Sequence, residues 1–141
     1  MSLLRTYNTD SVKRAMAQYS DQIEGFYPEE WLRNHQNIAL TNDNGNVCLF
    51  EREALKVVSG HYFFFDRGKK AIEIAQQMLH EIFTGPYDVE VIRGYTPVEH
   101  KGAVWLSRRL GFKSYGTIQT PCGECVLFIL TKKEYLERES D

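Results

Sequence analysis

The chain has 141 residues, of which 43% are hydrophobic and 26% are charged, with a formal net charge of -2. These values are typical of a soluble globular protein and exclude disordered and fibrous classes. Lys and Arg number 17 against 19 Asp and Glu, so the broad positive charge of a nucleic-acid-binding protein is missing. No apolar run is long enough to cross a bilayer, and no leader segment is evident. We therefore expect one domain over residues 1–141, a cytoplasmic location, and neither a membrane nor a nucleic-acid partner.

The first half of the chain predicts a strand, two helices and a three-stranded meander. Leu3–Tyr7 favours a short strand, and Thr9 or Asp10 is predicted to cap a helix that continues to Tyr19. Pro28–Leu32 has Pro early and two acids in its first turn, which predicts a second, shorter helix. The strands of the meander are predicted at 38–40, 47–50 and 57–65, the first two joined by an Asn- and Gly-rich hairpin turn.

The second half predicts a helix, a strand, a helix and a closing hairpin. The predicted elements are a helix packed by one apolar face at 71–83, a strand at 89–92, a helix that Pro97 opens and Gly111 ends, and hairpin strands at 112–118 and 126–130. The whole order is β-α-α-β-β-β-α-β-α-β-β. Only the charged segment after Tyr135 looks dispensable.

The three cysteines do not indicate a disulfide scaffold. Cys48 alternates within an apolar run and is expected to be a buried thiol. Cys122 and Cys125 have CxxC spacing, but neither a second CxxC nor a nearby His pair completes a zinc site. A hairpin turn is the simpler interpretation, and no metal is predicted.

The most informative stretch runs from Val57 to Phe83. An apolar, strand-like run leads directly into Arg67-Gly68-Lys69-Lys70 and then into a helical repeat. The first N–H groups of a helix have no internal partner, and the helix dipole is positive there, so this arrangement predicts an anion site that suits phosphate. The alternative is a solvated first helical turn. Basic residues oppose the dipole at that position, however, which favours a bound anion.

The order of elements and two segments resemble the GCN5-related N-acetyltransferase (GNAT) superfamily over essentially the whole chain. Arg67–Ile72 resembles the acetyl-CoA loop Q/R-x-x-G-x-G/A, and His100–Phe112 is similar to the N-x-x-A/S-...-K-L-G-F pattern of the next helix. Gly94–Pro97 further resembles a GNAT-like group often encoded by phages and prophages. The implied fold is α/β (α+β), with a central, mixed, mostly antiparallel sheet of about seven strands and helices on both faces.

The resemblance implies acetyl-CoA as the acyl-donor substrate. In the family, the strand before the loop splays from the next strand and binds the pantetheine arm through its backbone, while the loop wraps the pyrophosphate. This sequence departs from the motif at Lys70, where the first required Gly belongs, and at Ile72, where Gly or Ala belongs. The implied cofactor-binding residues are Phe65, Arg67, Gly68, Lys69, Lys70, Ala71 and His100.

Catalysis requires a base for the amine and often an acid for the departing thiolate. His61 lies on the strand before the loop and has an ordinary pKa near neutrality, so it is the best-placed base, although a hydrogen-bonded core histidine is the alternative. Glu51 and Glu53 are further candidates for the base, or are simply solvated. The family's usual Tyr position carries Ser107, which leaves Tyr115 on the closing hairpin or Ser107 itself as catalytic candidates.

Two functions stay open. The first is an acetyl-CoA-dependent N-acyltransferase that acetylates a primary amine by direct attack in a ternary complex. The second is a catalytically inactive GNAT-fold phage virion or assembly protein, found in the host cytoplasm or the virion. Phe26, Tyr27 and Trp31 either form an aromatic acceptor pocket or cover the open face of the sheet. The acceptor amine is not identified, and a homodimer or a phage structural partner is left open.

Overall fold

The computed structural model describes residues 3–19, 26–121 and 123–139. Seven segments are strands of one sheet: β1 (Leu3–Arg5), β2 (Ile38–Asn42), β3 (Val47–Ala54), β4 (Val57–Phe63), β5 (Val91–Pro97), β6 (Lys113–Thr120) and β7 (Gly123–Thr131). The α-helices in these residues are α1 (Thr9–Met16), α2 (Pro28–Arg33), α3 (Lys69–Thr84), α4 (Lys101–Arg109) and α5 (Lys132–Glu139), and a short 3-10 turn, Ala17–Tyr19, follows α1.

The strands lie in the order β1-β2-β3-β4-β5-β7-β6. β4 and β5 are parallel, and every other neighbouring pair is antiparallel. This is the mixed, mostly antiparallel sheet that the sequence predicted, with α5 added after the last strand. The single parallel pair places the end of β4 and the end of β5 on the same edge of the molecule, where α3 and α4 begin.

The two faces of the sheet carry separate hydrophobic layers, because side chains alternate along each strand. In β2, Ile38 and Leu40 belong to the layer under α3, whereas Ala39 belongs to the layer under α1 and α2. The larger layer includes Phe50, Val58, Ile74, Met78, Leu79, Ile82, Ile92 and Phe128. The smaller layer consists of Val12, Ala15, Leu32, Ala39, Val47, Leu49 and Phe63. Helices therefore cover both faces, as expected.

The first helix is capped one residue earlier than predicted. Its N-cap is Asn8, whose side-chain Oδ1 accepts a hydrogen bond from the N–H of Ser11 at 3.2 Å. Thr9 and Asp10 both lie inside the first turn, so the prediction that either caps the helix is wrong. Asn is a favoured N-cap residue, and its side chain here replaces the missing intrahelical acceptor.

The fifth strand begins later and ends later than predicted. β5 is longer than the predicted 89–92 because it pairs with β7 along its whole length, from Val91↔Thr131 to Pro97↔Cys125. The prediction that Pro97 opens a helix is wrong, since Pro97 is the last residue of β5 and α4 begins at Lys101. A proline holds the preceding residue in extended conformations, which suits a strand end.

The charged C-terminal segment forms α5 and contacts the rest of the fold, and the dispensability of the part after Tyr135 stays a prediction. Thr131 Oγ1 accepts from the N–H of Glu134, and Glu134 Oε1 accepts from the N–H of Thr131, both at 3.1 Å, which is a capping box for α5. The buried ring of Tyr135 packs on Phe83 with centroids 5.2 Å apart. Arg138 donates a hydrogen bond to the carbonyl of Leu110. α5 therefore closes the end of the larger hydrophobic layer.

The cysteine predictions have different outcomes. Cys48 is fully buried in β3, as expected, and burial raises the pKa of its thiol. Cys125 is buried in β7, whereas Cys122 lies outside the described residues.

In the part of the chain that the structure describes, no three His, Cys, Asp or Glu side chains come together as a metal site. Within the same part, no helix has the length and apolar character that membrane spanning requires.

Candidate functional site

The central feature is a gap between β4 and β5. These two strands pair only at Val57↔Val91, Val58↔Ile92 and Ser59↔Arg93, although they continue to Phe63 and Pro97 respectively. β4 stays paired with β3 and β5 with β7, so the inner edges of the two strands separate. Backbone N–H and C=O groups along these edges are consequently open to an extended ligand. The separation of β4 from β5 beyond Ser59↔Arg93, which we call the splay, is the one that the family resemblance implies.

Two glycines lie where the strands begin to separate. Gly60 and Gly94 directly follow the last paired residues. A Cβ added to Gly94 would lie 3.4 Å from the carbonyl oxygen of Gly60, so the backbones stay in ordinary contact distance at this point. A Cβ added to Gly60 would instead lie 3.3 Å from Ile92 Cγ2, in the larger hydrophobic layer, so Gly60 serves packing and Gly94 is the glycine that faces the other strand.

The N-terminus of α3 lies just beyond the end of β4. Its N-cap, Gly68, has φ of 62°, and no side chain caps the helix. The first turn contains no acidic residue, and Lys69 and Lys70 are both exposed. Open N–H groups and two positive charges are the features that an anion site requires, and the binding of phosphate by Gly68, Lys69 and Lys70 stays a prediction. Ala71 is buried and packs into the larger hydrophobic layer, which leaves only its backbone available to a ligand.

Arg67 makes contacts around the loop itself, and the prediction that it lines the phosphates stays a prediction. Its guanidinium Nη1 donates to the carbonyls of Phe64 and Asp66, and its Nη2 donates to Gln18 Oε1 at 3.1 Å. Arg67 thus braces the loop between β4 and α3 from within. Phe65 in the same loop is 43% exposed and lies outside β4, which ends at Phe63 rather than at the predicted residue 65.

His61 lies on the face of β4 that α1 and α2 partly cover. It shares this face with Ser59 and Phe63, as predicted, and pairs across the strands with Leu49. His61 retains solvent-exposed surface, yet the protein atoms crowded around its ring lower its pKa below the ordinary value of 6.5. The charges of neighbouring glutamates oppose this shift. The net result is a neutral imidazole near pH 7 that can accept a proton.

The two glutamates near His61 both have partners. Trp31 Nε1 donates to Glu51 Oε1 at 3.1 Å, which connects α2 to β3. Arg93 on β5 forms an ion pair with Glu53 on β3, and this pair crosses over β4. Neither carboxylate is simply solvated. They contribute negative charge beside His61 and connect the elements around it.

Sequence reasoning missed Ser59. This residue is 8% exposed and lies in register between Glu51 on β3 and Arg93 on β5. Its hydroxyl forms no hydrogen bond to any residue that the structure describes. The only sequence signal was its position two residues before His61 on the same strand face.

The aromatic connection between the first helices divides into two parts. Phe26 and Trp31 pack against the smaller hydrophobic layer, with ring centroids 5.9 Å apart. Tyr27 is 67% exposed. Phe26 and Trp31 therefore cover the sheet, and Tyr27 alone among these rings is presented to solvent.

The remaining candidates lie farther from His61. Tyr115 is exposed on β6, three strands from β4, which is roughly 14 Å at the usual strand spacing. Ser107 is buried on α4, and its hydroxyl forms no hydrogen bond within the described residues. His100 is the N-cap residue of α4 and is half-buried. The structure thus brings the loop residues to one end of the splay, and leaves Tyr115 at the edge of the sheet.

Two shallow surface depressions lie elsewhere. One of about 480 Å³ is lined by Val91, Thr131 and Leu136, and one of about 380 Å³ by Lys56 and Asp88. Both lie where β5 begins, at the opposite end from the splay. Neither contains a catalytic candidate, so the candidate site is assigned to the splay, where open backbone and open helix N-terminus meet.

Comparisons with known proteins identify the fold. No family model matches the chain, and no curated protein matches it. A variant of spermidine N-acetyltransferase SpeG from Vibrio cholerae has a TM-score of 0.79 at 12% identity, with 99% of each chain covered. AAC(6')-Ib, solved in complex with ribostamycin and coenzyme A, has a TM-score of 0.70 at 15% identity, covering 99% of this chain and 98% of that chain. At these identities the similarity shows the fold alone, and the fold is that of GNAT proteins.

Proposed function

We propose that this protein is an acetyl-CoA-dependent N-acyltransferase that transfers an acetyl group to a primary amine by direct attack in a ternary complex. The observation that carries the proposal is the β4–β5 splay, which ends at the uncapped, basic N-terminus of α3. Fold alone does not establish function, so the proposal depends on this local geometry. The SpeG and AAC(6')-Ib structures support it at the level of fold.

The two parts of the site suit the two parts of acetyl-CoA. The amides of the pantetheine arm would pair with the open strand edges, as in β-strand addition. The pyrophosphate would bind the N–H groups at the start of α3, with charge-assisted bonds from Lys69 and Lys70. Phe65 and His100 are proposed to contact the bound acetyl-CoA on either side of the pyrophosphate. The thioester would then lie near Gly60 and Gly94, where the strands begin to separate.

The transfer needs one proton removed and one supplied. The amine nitrogen attacks the thioester carbonyl, the carbon–sulfur bond breaks, the amine loses a proton, and the thiolate gains one. His61 is the proposed base, because its lowered pKa keeps it neutral, and Glu51 and Glu53 would stabilise the imidazolium that forms. Ser107 and Tyr115 are the proposed sources of the thiolate's proton. Ser107 lies on α4, the helix that follows β5, whereas Tyr115 lies on β6 at the edge of the sheet.

Turnover with defined amines tests the proposal. Spermidine and ribostamycin, the amines named with the similar structures, would be incubated with acetyl-CoA, and thiol release and acetylated product would be measured. We expect His61→Gln to lower kcat/KM by about 10²- to 10⁴-fold, the usual contribution of a general base. His35→Gln, at an exposed position near α2, should leave it unchanged. A folded wild-type protein that neither binds acetyl-CoA nor acetylates any amine would instead favour the inactive phage virion or assembly protein.

A further inference from the structure

A buried asparagine outside the splay holds the loop that precedes α3. Asn46 lies between β2 and β3 and is 0% exposed. Its Oδ1 accepts hydrogen bonds from the N–H groups of Phe65 at 2.6 Å and of Asp66 at 3.1 Å. Its Nδ2 donates to Asp66 Oδ2 at 2.7 Å. One side chain therefore fixes both the backbone and the carboxylate of a loop that is 20 residues away in sequence.

The turn that carries Asn46, residues 42–46, is itself pre-arranged; we call it the asparagine turn. Asn42 Oδ1 accepts from the N–H groups of Asn44 at 3.2 Å and of Asn46 at 3.1 Å. It also accepts from Nδ2 of Asn46 at 3.2 Å, which orients that side chain. Asn44 Nδ2 adds a second donor to Asp66 Oδ2 at 3.3 Å. Two amide groups of the asparagine turn thus converge on one carboxylate oxygen.

The contact between the asparagine turn and Asp66 matters for the predicted anion site because Asp66 lies close to the N-terminus of α3. It is two residues before Gly68, the N-cap of α3, and Asp is a residue type that readily caps helix N-termini. Hydrogen bonds from Asn46 and Asn44 lower the pKa of Asp66, so its carboxylate is ionised. An ionised carboxylate released from the asparagine turn would compete with phosphate for the N–H groups of α3, or repel it.

We infer that Asn46 is a positioning residue for the phosphate site. It holds the β4–α3 loop in the conformation that leaves the N-terminus of α3 open, and it keeps the Asp66 carboxylate engaged by the asparagine turn. Arg67 completes the same arrangement by holding the carbonyls of Phe64 and Asp66. The inference rests on the proposed function, because the ligand it concerns is acetyl-CoA.

Exchanging the two partners tests the contact. Asn46→Asp keeps the acceptor oxygen for the two N–H groups but replaces the donor by a second carboxylate oxygen facing Asp66. Acetyl-CoA affinity at neutral pH is expected to fall about tenfold or more, because like charges at hydrogen-bond distance oppose the present loop conformation. Asp66→Asn keeps an acceptor for Nδ2 of Asn46 and should bind at least as tightly as wild type. The double variant Asn46→Asp, Asp66→Asn restores the donor–acceptor pair between positions 46 and 66 and should bind acetyl-CoA more tightly than Asn46→Asp. It does not restore the bonds from residue 46 to Asn42 and from Asn44 to residue 66, so its affinity should stay below that of wild type.

The pH dependence separates positioning from general damage to the fold. Two facing carboxyls share a proton, so the deficit of Asn46→Asp relative to wild type should shrink as the pH falls from about 8 to about 5. The other charged groups that act on Asp66 are Lys70 and Arg67. Asn37→Asp is the matched control, because Asn37 is also buried but bonds Trp31 and Arg52, away from the loop.

The outcomes are distinguishable. Weak binding by Asn46→Asp with recovery in the double variant supports the inference. A folded Asn46→Asp protein that binds like wild type at every pH overturns it, as does a folded double variant that binds no more tightly than Asn46→Asp. If Asn46→Asp does not fold, the double variant decides: measurable acetyl-CoA binding by the folded double variant supports the inference, and its loss overturns it. A wild-type protein that binds no acetyl-CoA overturns the proposed function and this inference together.

Discussion

Replacing both lysines at the start of α3 should change stability and ligand binding in opposite directions. Lys69 and Lys70 lie in the first turn of α3, where no acidic residue is present and no side chain caps the helix. Their charges therefore oppose the helix dipole in the free protein. If their role is to bind phosphate, Lys69→Ala with Lys70→Ala should stabilise the free protein and weaken acetyl-CoA binding.

The magnitudes follow from the geometry. Each unfavourable charge at a helix N-terminus costs about 0.3–1 kcal/mol, so the double variant should gain about 0.6–2 kcal/mol and about 2–6 °C in Tm. Each charge-assisted bond to phosphate contributes about 1.5–3 kcal/mol, less at an exposed site, so acetyl-CoA affinity should fall roughly 10- to 100-fold. Thermal unfolding of the free protein and calorimetric titration with acetyl-CoA measure the two effects on the same sample.

Lys133→Ala is the matched control, because Lys133 is an exposed residue in the first turn of α5, at the other end of the sheet. It should leave acetyl-CoA affinity unchanged. The reasoning is refuted if the double variant binds acetyl-CoA as tightly as wild type. It is also refuted if the free double variant is less stable, since the lysines would then support the fold rather than a ligand.

Three further predictions concern the catalytic base, the splay and the C-terminal helix. Burial lowers the pKa of His61 in the folded state below its ordinary value of 6.5, so the folded protein favours the neutral imidazole. The contribution of His61 to the free energy of unfolding is therefore fully present above pH 6.5 and is lost as the pH falls through the pKa of the folded state. Urea unfolding as a function of pH should show this loss in wild type and not in His61→Gln. Gly94→Ala should retain acetyl-CoA binding, because an added Cβ makes only ordinary contact, whereas the larger Gly94→Val should place methyl groups in the mouth of the splay and weaken calorimetric binding with little change in Tm. Tyr135→Ala should lower the free energy of unfolding by about 3–5 kcal/mol in denaturant titration, as for other buried aromatic truncations; a loss below about 1 kcal/mol would mean that the ring of Tyr135 does not anchor α5.

The regular elements were predictable because their signals are local. The apolar spacing from Ala71 to Phe83 belongs to a helix with one buried face, and the Asn- and Gly-rich turn before Val47 belongs to a hairpin. The capping box of α5 was also present in the sequence, as Thr131 followed by Glu134 three positions later. The strong charge of the segment masks this signal, and the burial of Tyr135 against Phe83 depends on tertiary packing.

The features that the sequence did not predict depend on contacts between distant parts of the chain. Pro97 has the appearance of a helix start, but pairing with β7 along the whole of β5 decides its conformation. Arg67 matches a motif position, and its contacts to Gln18 and to the loop carbonyls join segments that are distant in the sequence or depend on the folded loop. The role of Asn46 depends on a contact with Asp66, and a single sequence does not reveal which distant loop a turn will touch.

The most direct test of the account is calorimetric titration of acetyl-CoA into the folded wild-type protein at moderate salt, repeated with Gly94→Val. We predict binding of one acetyl-CoA per chain at micromolar strength, weakened in the variant, because the ligand occupies the β4–β5 splay and the start of α3. Absence of binding by a protein shown to be folded, or equal binding by Gly94→Val, would contradict the assignment of the splay as the acetyl-CoA site.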